Sequence, residues 1–159
     1  MNIDCISDLH GFYPELNGGD LLIVAGDLTA NSHLHQWGHF FKWLKSQQYE
    51  KKILIGGNHD NFLFLGLPKT KEEAEICADL RSLEDEDLAI GEDFEYLCDF
   101  GTEFQGLKIW GTPWTKTFKG MNPHCKAFTC DTEEELGEKF DMIPDDIDIL
   151  ISHGPMAAC

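Results

Sequence analysis

Ile53-Leu54-Ile55-Gly56-Gly57-Asn58-His59-Asp60 is the stretch on which the fold of this chain turns. Three aliphatic residues in a row leave no polar position to face water. That is the pattern of a strand covered on both faces, as in a parallel or mixed sheet inside an α/β domain. The two glycines let the backbone turn sharply. The apolar run then gives way at once to Asn58, His59 and Asp60, side chains that carry lone pairs or charge.

The same grammar recurs along the chain. Apolar runs at residues 3–6, 21–25 and 147–151 are followed by Asp8-Leu9-His10, Gly26-Asp27 and Ser152-His153-Gly154-Pro155. Each polar segment starts where a strand's C-terminal end is expected, and in open α/β sheets that edge binds ligands. Four loops from neighbouring strands would bring Asp8, His10, Asp27, Asn58, His59 and His153 to one place. Carboxylate, imidazole and amide oxygen suit Mn²⁺, Fe or Zn²⁺. An aspartate can bridge two ions with its two oxygens. Asp8 and His10 are two apart in a segment read as extended, which points both side chains to one side. Taken singly, each piece has a plainer reading. Gly-Asp is often a turn or a helix cap, and Asn-His-Asp a turn. The ordered set, one piece per strand end, is far more specific.

Elsewhere, a second β region is expected at residues 95–110, with Gly106 turning the chain between 102–104 and 107–110. One helix is clear: Ser32 can cap it, and Leu34, Trp37, Phe41 and Leu44 share a face. His35 and His39 lie off that stripe and read as solvated. Further helices are expected over residues 71–83 and from Thr132. Acidic clusters at 84–87, 92–93, 133–135 and 145–146 read as surface, since none follows a calcium-loop template.

The length of 159 residues fits one domain, 1–159, and 42% hydrophobic residues suffice for a core. Against 29 acidic residues stand only 12 basic ones, for a net charge of −17. That balance argues against a general nucleic-acid surface or an anionic membrane. It leaves room for a small phosphate ester in a cleft whose field is set by metal cations. The sequence from Met1 enters a core strand without the pattern of a signal peptide, and no run is long enough to span a membrane. Cys5, Cys77, Cys98, Cys125, Cys130 and Cys159 form no Cys-x-x-Cys pair and read as reduced thiols in a cytoplasmic protein. A zinc site from His124, Cys125 and Cys130 matches no standard spacing.

Together, Asp8-Leu9-His10, Gly26-Asp27, Gly57-Asn58-His59-Asp60 and Ser152-His153-Gly154-Pro155 resemble the successive signatures of the calcineurin-like metallophosphoesterases. Ala25-Gly26-Asp27-Leu28-Thr29 and Gly111-Thr112-Pro113-Trp114 are most similar to the small branch that includes metallophosphoesterase-domain-containing proteins and bacterial cyclic-nucleotide-type phosphodiesterases. The resemblance implies an α/β fold, a sandwich of two mixed sheets flanked by helices. It implies two divalent ions, Mn, Fe or Zn. Asp8 and His10 would hold the first, Asp27 would bridge both, and Asn58 and His153 would hold the second. Asn58 would also touch the substrate phosphate. His59 would stabilise or protonate the leaving oxygen, oriented by Asp60. Trp114 would line the substrate cleft, core packing being the alternative.

The implied reaction is metal-dependent hydrolysis of a small phosphate ester, with phosphodiesters favoured by the branch. A hydroxide bridging the two metals would attack phosphorus. The family pattern continues into a further strand and a Gly-His-x-His motif that this sequence does not contain. The expectation is therefore a fold lacking its C-terminal strands, with each ion short of one family ligand. A rival reading is a truncated, catalytically weak metal- or nucleotide-binding protein. A metal-free structural domain would make six ligand-type residues at strand ends a coincidence.

Overall fold

The computed structural model describes residues 1–65 and 94–155. Its first sheet follows the chain: β1 (Ile3–Ile6), β2 (Gly19–Ala25), β3 (Tyr49–Ile55) and β4 (Glu95–Tyr96), each pair parallel. Helix α1 (Leu34–Ser46) makes the crossover from β2 to β3, and the short α2 (Asn61–Leu65) follows β3. Next come β5 (Phe100–Phe104) and β6 (Leu107–Thr112), an antiparallel hairpin. Gln105 and Gly106 both have positive φ, 49° and 83°. That is the tight turn whose twist matches its strands. A two-stranded parallel ladder, β7 (Thr115–Lys116) with β8 (Thr129–Cys130), and helix α3 (Glu133–Phe140) lead to β9 (Ile149–Ser152). Strand β9 pairs parallel with β6 and completes the second sheet, β5-β6-β9.

The α/β class is as expected. Among the described residues, the first sheet is wholly parallel rather than mixed, the second is mixed, and the β7–β8 ladder is additional.

Alternation along the strands explains why both sheet faces are dry. Leu22, Val24 and Leu54 join Trp37, Phe40, Phe41 and Leu44 of α1 in one buried cluster. Their sequence neighbours Leu21, Ile23, Ile53 and Ile55 join Leu97, Phe104, Ile109 and Ile151 in a second cluster between the sheets. Successive residues of a strand thus feed opposite layers. Each buried leucine or isoleucine contributes about 1.5–3 kcal/mol.

Two helix ends differ from each other. Helix α3 starts at Thr132 as expected, and Thr132 caps it in a capping box with Glu135. Ser32, expected to cap α1, does not: the cap position is His33, which makes no side-chain cap. Ser32 has φ 58°, and its hydroxyl accepts from Trp37 Nε1 at 3.1 Å and from the Phe62 amide at 2.9 Å. It ties α1 to α2 instead. His35 and His39 are exposed, as expected. The helix expected at 71–83, the acidic clusters at 84–87 and 92–93, Cys77 and Cys159 lie outside the described residues. Cys5, Cys98, Cys125 and Cys130 are free thiols. No helix among the described residues is long and apolar enough to cross a membrane.

Candidate metal centre

Three of the four polar loops leave the C-terminal ends of β1, β2 and β3. The fourth is expected from a strand neighbouring those three. It comes instead from β9 in the second sheet, so His153 approaches across the sandwich. The loops are lashed together by backbone. The Asp8 amide donates to the Gly26 carbonyl and the His10 amide to the Asp27 carbonyl, both at 3.0 Å.

Asp27 lies at the centre and is 3% exposed. Its Oδ1 is 3.3 Å from His153 Nε2 and accepts from the His59 amide at 3.0 Å. Its Oδ2 is 3.5 Å from His10 Nε2 and 3.9 Å from His59 Nε2. Burial pushes the Asp27 carboxyl up. The hydrogen bonds from His153 and the His59 amide, with the charge of both rings, outweigh it and hold the group below the usual carboxylate range. Burial likewise pushes the His153 ring down, but the hydrogen bond and charge of Asp27 carry it up to about 9.

Two of the three imidazoles are aimed by backbone carbonyls. His153 Nδ1 is 2.9 Å from Ala25 O, and His59 Nδ1 is 2.7 Å from Ala30 O. Both rings therefore turn Nε2 inward, the second-sphere arrangement common for ligating histidines. Asn58 is aimed the same way. Its amide nitrogen donates to Cys125 O at 3.1 Å, which leaves Oδ1 3.3 Å from His153 Nε2.

The donor atoms fall into two groups that share Asp27. Those of His10, Asp27 and His59 lie within 4.8 Å of one another, and so do those of Asp8, Asp27 and His153. The reading of Asp8 and His10 as an extended pair needs correction. Strand β1 ends at Ile6, and both residues have left-handed backbone, φ 53° and 46°. Buried Leu9 between them anchors the loop in the core. Their side chains still converge, His10 Nε2 lying 4.0 Å from Asp8 Oδ1. Asp27 shares the conformation, φ 52°. Three non-glycine residues in this sparsely populated region mark a site held by its surroundings.

The donor set fits divalent cations: two carboxylates, three imidazoles and an amide oxygen meet, with both oxygens of one carboxylate facing different partners. Glycine makes the approach possible. A Cβ at Gly57 would stand 2.3 Å from Asp27 Oδ1 and 2.9 Å from His153 Nε2. Gly26 has φ 89°, which no other residue adopts comfortably.

The expected contact of Asp60 with His59 is not made: Asp60 does not touch the His59 ring. Fully buried, it accepts from the amides of Gly57 at 2.8 Å, Leu28 at 3.1 Å and Thr29 at 3.2 Å, binding the β2 loop to the β3 loop. Burial, with the charge of Asp27, pushes its carboxyl up to about 7 against those amides. The ring's partner is Ala30. Trp114 donates to Asp99 at 2.7 Å, packs edge-on against Phe64 and Phe128, and lies under Lys139. These are packing contacts, the alternative kept open for it.

No residue type marks the carbonyls of Ala25, Ala30 and Cys125, or the segment around Phe128, as part of the site. The Ala127 amide donates to Asn58 O at 3.1 Å, and a Cβ at Gly56 would stand 2.5 Å from the Phe128 ring.

A family model described as calcineurin-like phosphoesterase matches residues 1–159. Human metallophosphoesterase domain-containing protein 1 is 32% identical over 168 residues, covering 95% of this chain and 47% of that protein. A Caenorhabditis elegans protein of the UPF0046 group is 31% identical over 166 residues, covering 95% of this chain and 41% of that protein. An Emericella nidulans protein named probable rhamnogalacturonate lyase C is 33% identical over 159 residues, covering 99% of this chain but 14% of that protein. The chain spans about half the length of the first two relatives and a small part of the third.

Proposed function

The chain belongs to the calcineurin-like phosphoesterase family, and from that premise we propose that it hydrolyses small phosphate esters, phosphodiesters first, at a two-metal centre. Asp8, His10, Asp27, Asn58 and His153 would hold the two ions, with Mn²⁺, Fe or Zn²⁺ suited to the donors. When bound, the ions would supply Lewis-acid charge for the phosphate oxygens and for activating water.

The chain's own residues do the rest. Asp27 stays ionised and offers one oxygen to each side of the site. The carbonyls of Ala25 and Ala30 fix the His153 and His59 rings, so neither must reorient during reaction. With Nδ1 committed to Ala30, His59 has Nε2 left to hold or give a proton at the leaving oxygen. The Asn58 amide, held by Cys125, faces the site with its oxygen. Asp60 keeps the β2 and β3 loops in register, acting on position rather than on substrate.

The observation that carries this reading is the division of Asp27. Its Oδ1 faces His153 at 3.3 Å and its Oδ2 faces His10 at 3.5 Å. One carboxylate serving two donor groups is the layout a bridging ligand needs. The test is hydrolysis of bis(para-nitrophenyl) phosphate by protein stripped with chelator and then resupplied with Mn²⁺. Activity should vanish and return. Turnover that survives exhaustive chelation would overturn the reading. One weakly held ion without turnover would favour a metal-binding protein instead.

A further inference from the structure

Beside the centre, on the His59 side, lies a cleft of about 430 Å³ lined by Asn31, His33, Asn61, Asn122, His124 and Cys125. That volume suits a small organic group. Each wall is tied to the centre. Asn31 follows Ala30, whose carbonyl holds the His59 ring. Asn61 lies two residues past His59 and donates its amide to His124 O at 2.8 Å. The Cys125 carbonyl holds Asn58, and the Asn122 side chain accepts from the His124 amide at 3.0 Å. His33 is steadied by stacking on His35, with ring centroids 5.8 Å apart.

The chemistry of the wall is unusual for a protein of net charge −17. Among the described residues that line it there is no carboxylate, lysine or arginine. Three carboxamides and two imidazoles offer both donors and acceptors. Among the described lining residues an anionic group would find no fixed cation, and an aryl group would strand the polar wall unpaired.

We propose that this cleft seats the alcohol portion of the substrate and selects uncharged alcohols rich in hydrogen-bonding groups, an inference that rests on the phosphoesterase reading above. Hydrolysis breaks the P–O bond to that alcohol, adds the oxygen of water to phosphorus and returns a proton to the alcohol oxygen. Asn31 adjoins Ala30, the carbonyl partner of the His59 ring, and Asn61 lies two residues past His59, so an alcohol seated in the cleft leaves on the side of the centre where His59 stands.

The test uses metal-loaded full chain and three diesters: bis(para-nitrophenyl) phosphate, glycerophosphoglycerol and uridylyl-uridine. The last two share the required chemistry and distinguish a polyol from a nucleoside. In the double variant Asn31→Leu/His33→Leu, kcat/KM on the preferred polar diester should fall about 10-fold, mostly through KM, as expected for two lost hydrogen bonds. The rate on the aryl diester should hold or rise, because leucine removes polar wall that an aryl group leaves unpaired, and an unchanged melting temperature reports that the variant is folded. Asn31→Gln/His33→Gln should recover part of the loss. Equal change on all three substrates would overturn the proposal. So would wild-type protein that cleaves the aryl diester but neither polar one. If wild type cleaves none of the three with metal present, the phosphoesterase reading itself fails, and this inference falls with it.

Discussion

His59 Nδ1 lies 2.7 Å from the carbonyl oxygen of Ala30, and that contact aims the ring's other nitrogen at Asp27 Oδ2, 3.9 Å away. The ring is thus set by the backbone of the β2 loop and stands at the margin of the metal donors. His59→Ala should keep its metal and lose rate, by roughly the 10²- to 10⁴-fold typical of a general acid. Metal content by elemental analysis beside kcat makes the check. Loss of both ions together with the rate would make His59 a ligand rather than an acid.

Asp60 is fully buried and serves the amides of Leu28, Thr29 and Gly57. Asp60→Asn has one acceptor oxygen where the carboxylate has two, so at least one buried amide loses its partner. Stability in urea should fall by about 1–3 kcal/mol. Metal affinity should fall about 10- to 100-fold as the two loops loosen. A slower enzyme with unchanged stability and metal affinity would mean that Asp60 acts through His59 alone.

Gly57 has no room for a side chain: its Cβ would stand 2.3 Å from the Asp27 amide nitrogen and Oδ1. Gly57→Ala should cost about 1–3 kcal/mol, the usual penalty of overpacking, and should displace Asp27 enough to weaken metal binding. Thermal melting and metal titration report the two effects separately. A variant that melts and binds metal like wild type would show that the loop can shift without harm.

Much of this arrangement was legible in the sequence, for a simple physical reason. Strands buried on both faces are apolar throughout, so the polar residues at their ends stand out. Asp8, Asp27, Asn58 and His153 could be placed at one edge from that contrast alone. What could not be read depends on geometry without a residue signature. Every residue has a carbonyl, so nothing marks those of Ala25, Ala30 and Cys125 as anchors. The left-handed backbone at Asp8 and His10 is hidden because aspartate and histidine also occur in extended chain. The local pattern of β9 does not say which sheet it joins, so the approach of His153 from the second sheet was missed. Ser32 has the residue type of a helix cap, but the indole of Trp37 and the amide of Phe62 claim its hydroxyl.

The central claim is that Asp27 is shared by two ions at a hydrolytic centre. The measurement that tests it most directly is calorimetric Mn²⁺ titration of wild type and Asp27→Asn, with diester hydrolysis followed on the same samples. Wild type should bind two ions and turn over. Asp27→Asn should bind weakly at both positions and lose activity, because one side chain serves each of them. A variant that still binds two ions tightly, or loses one and keeps its rate, would contradict the account.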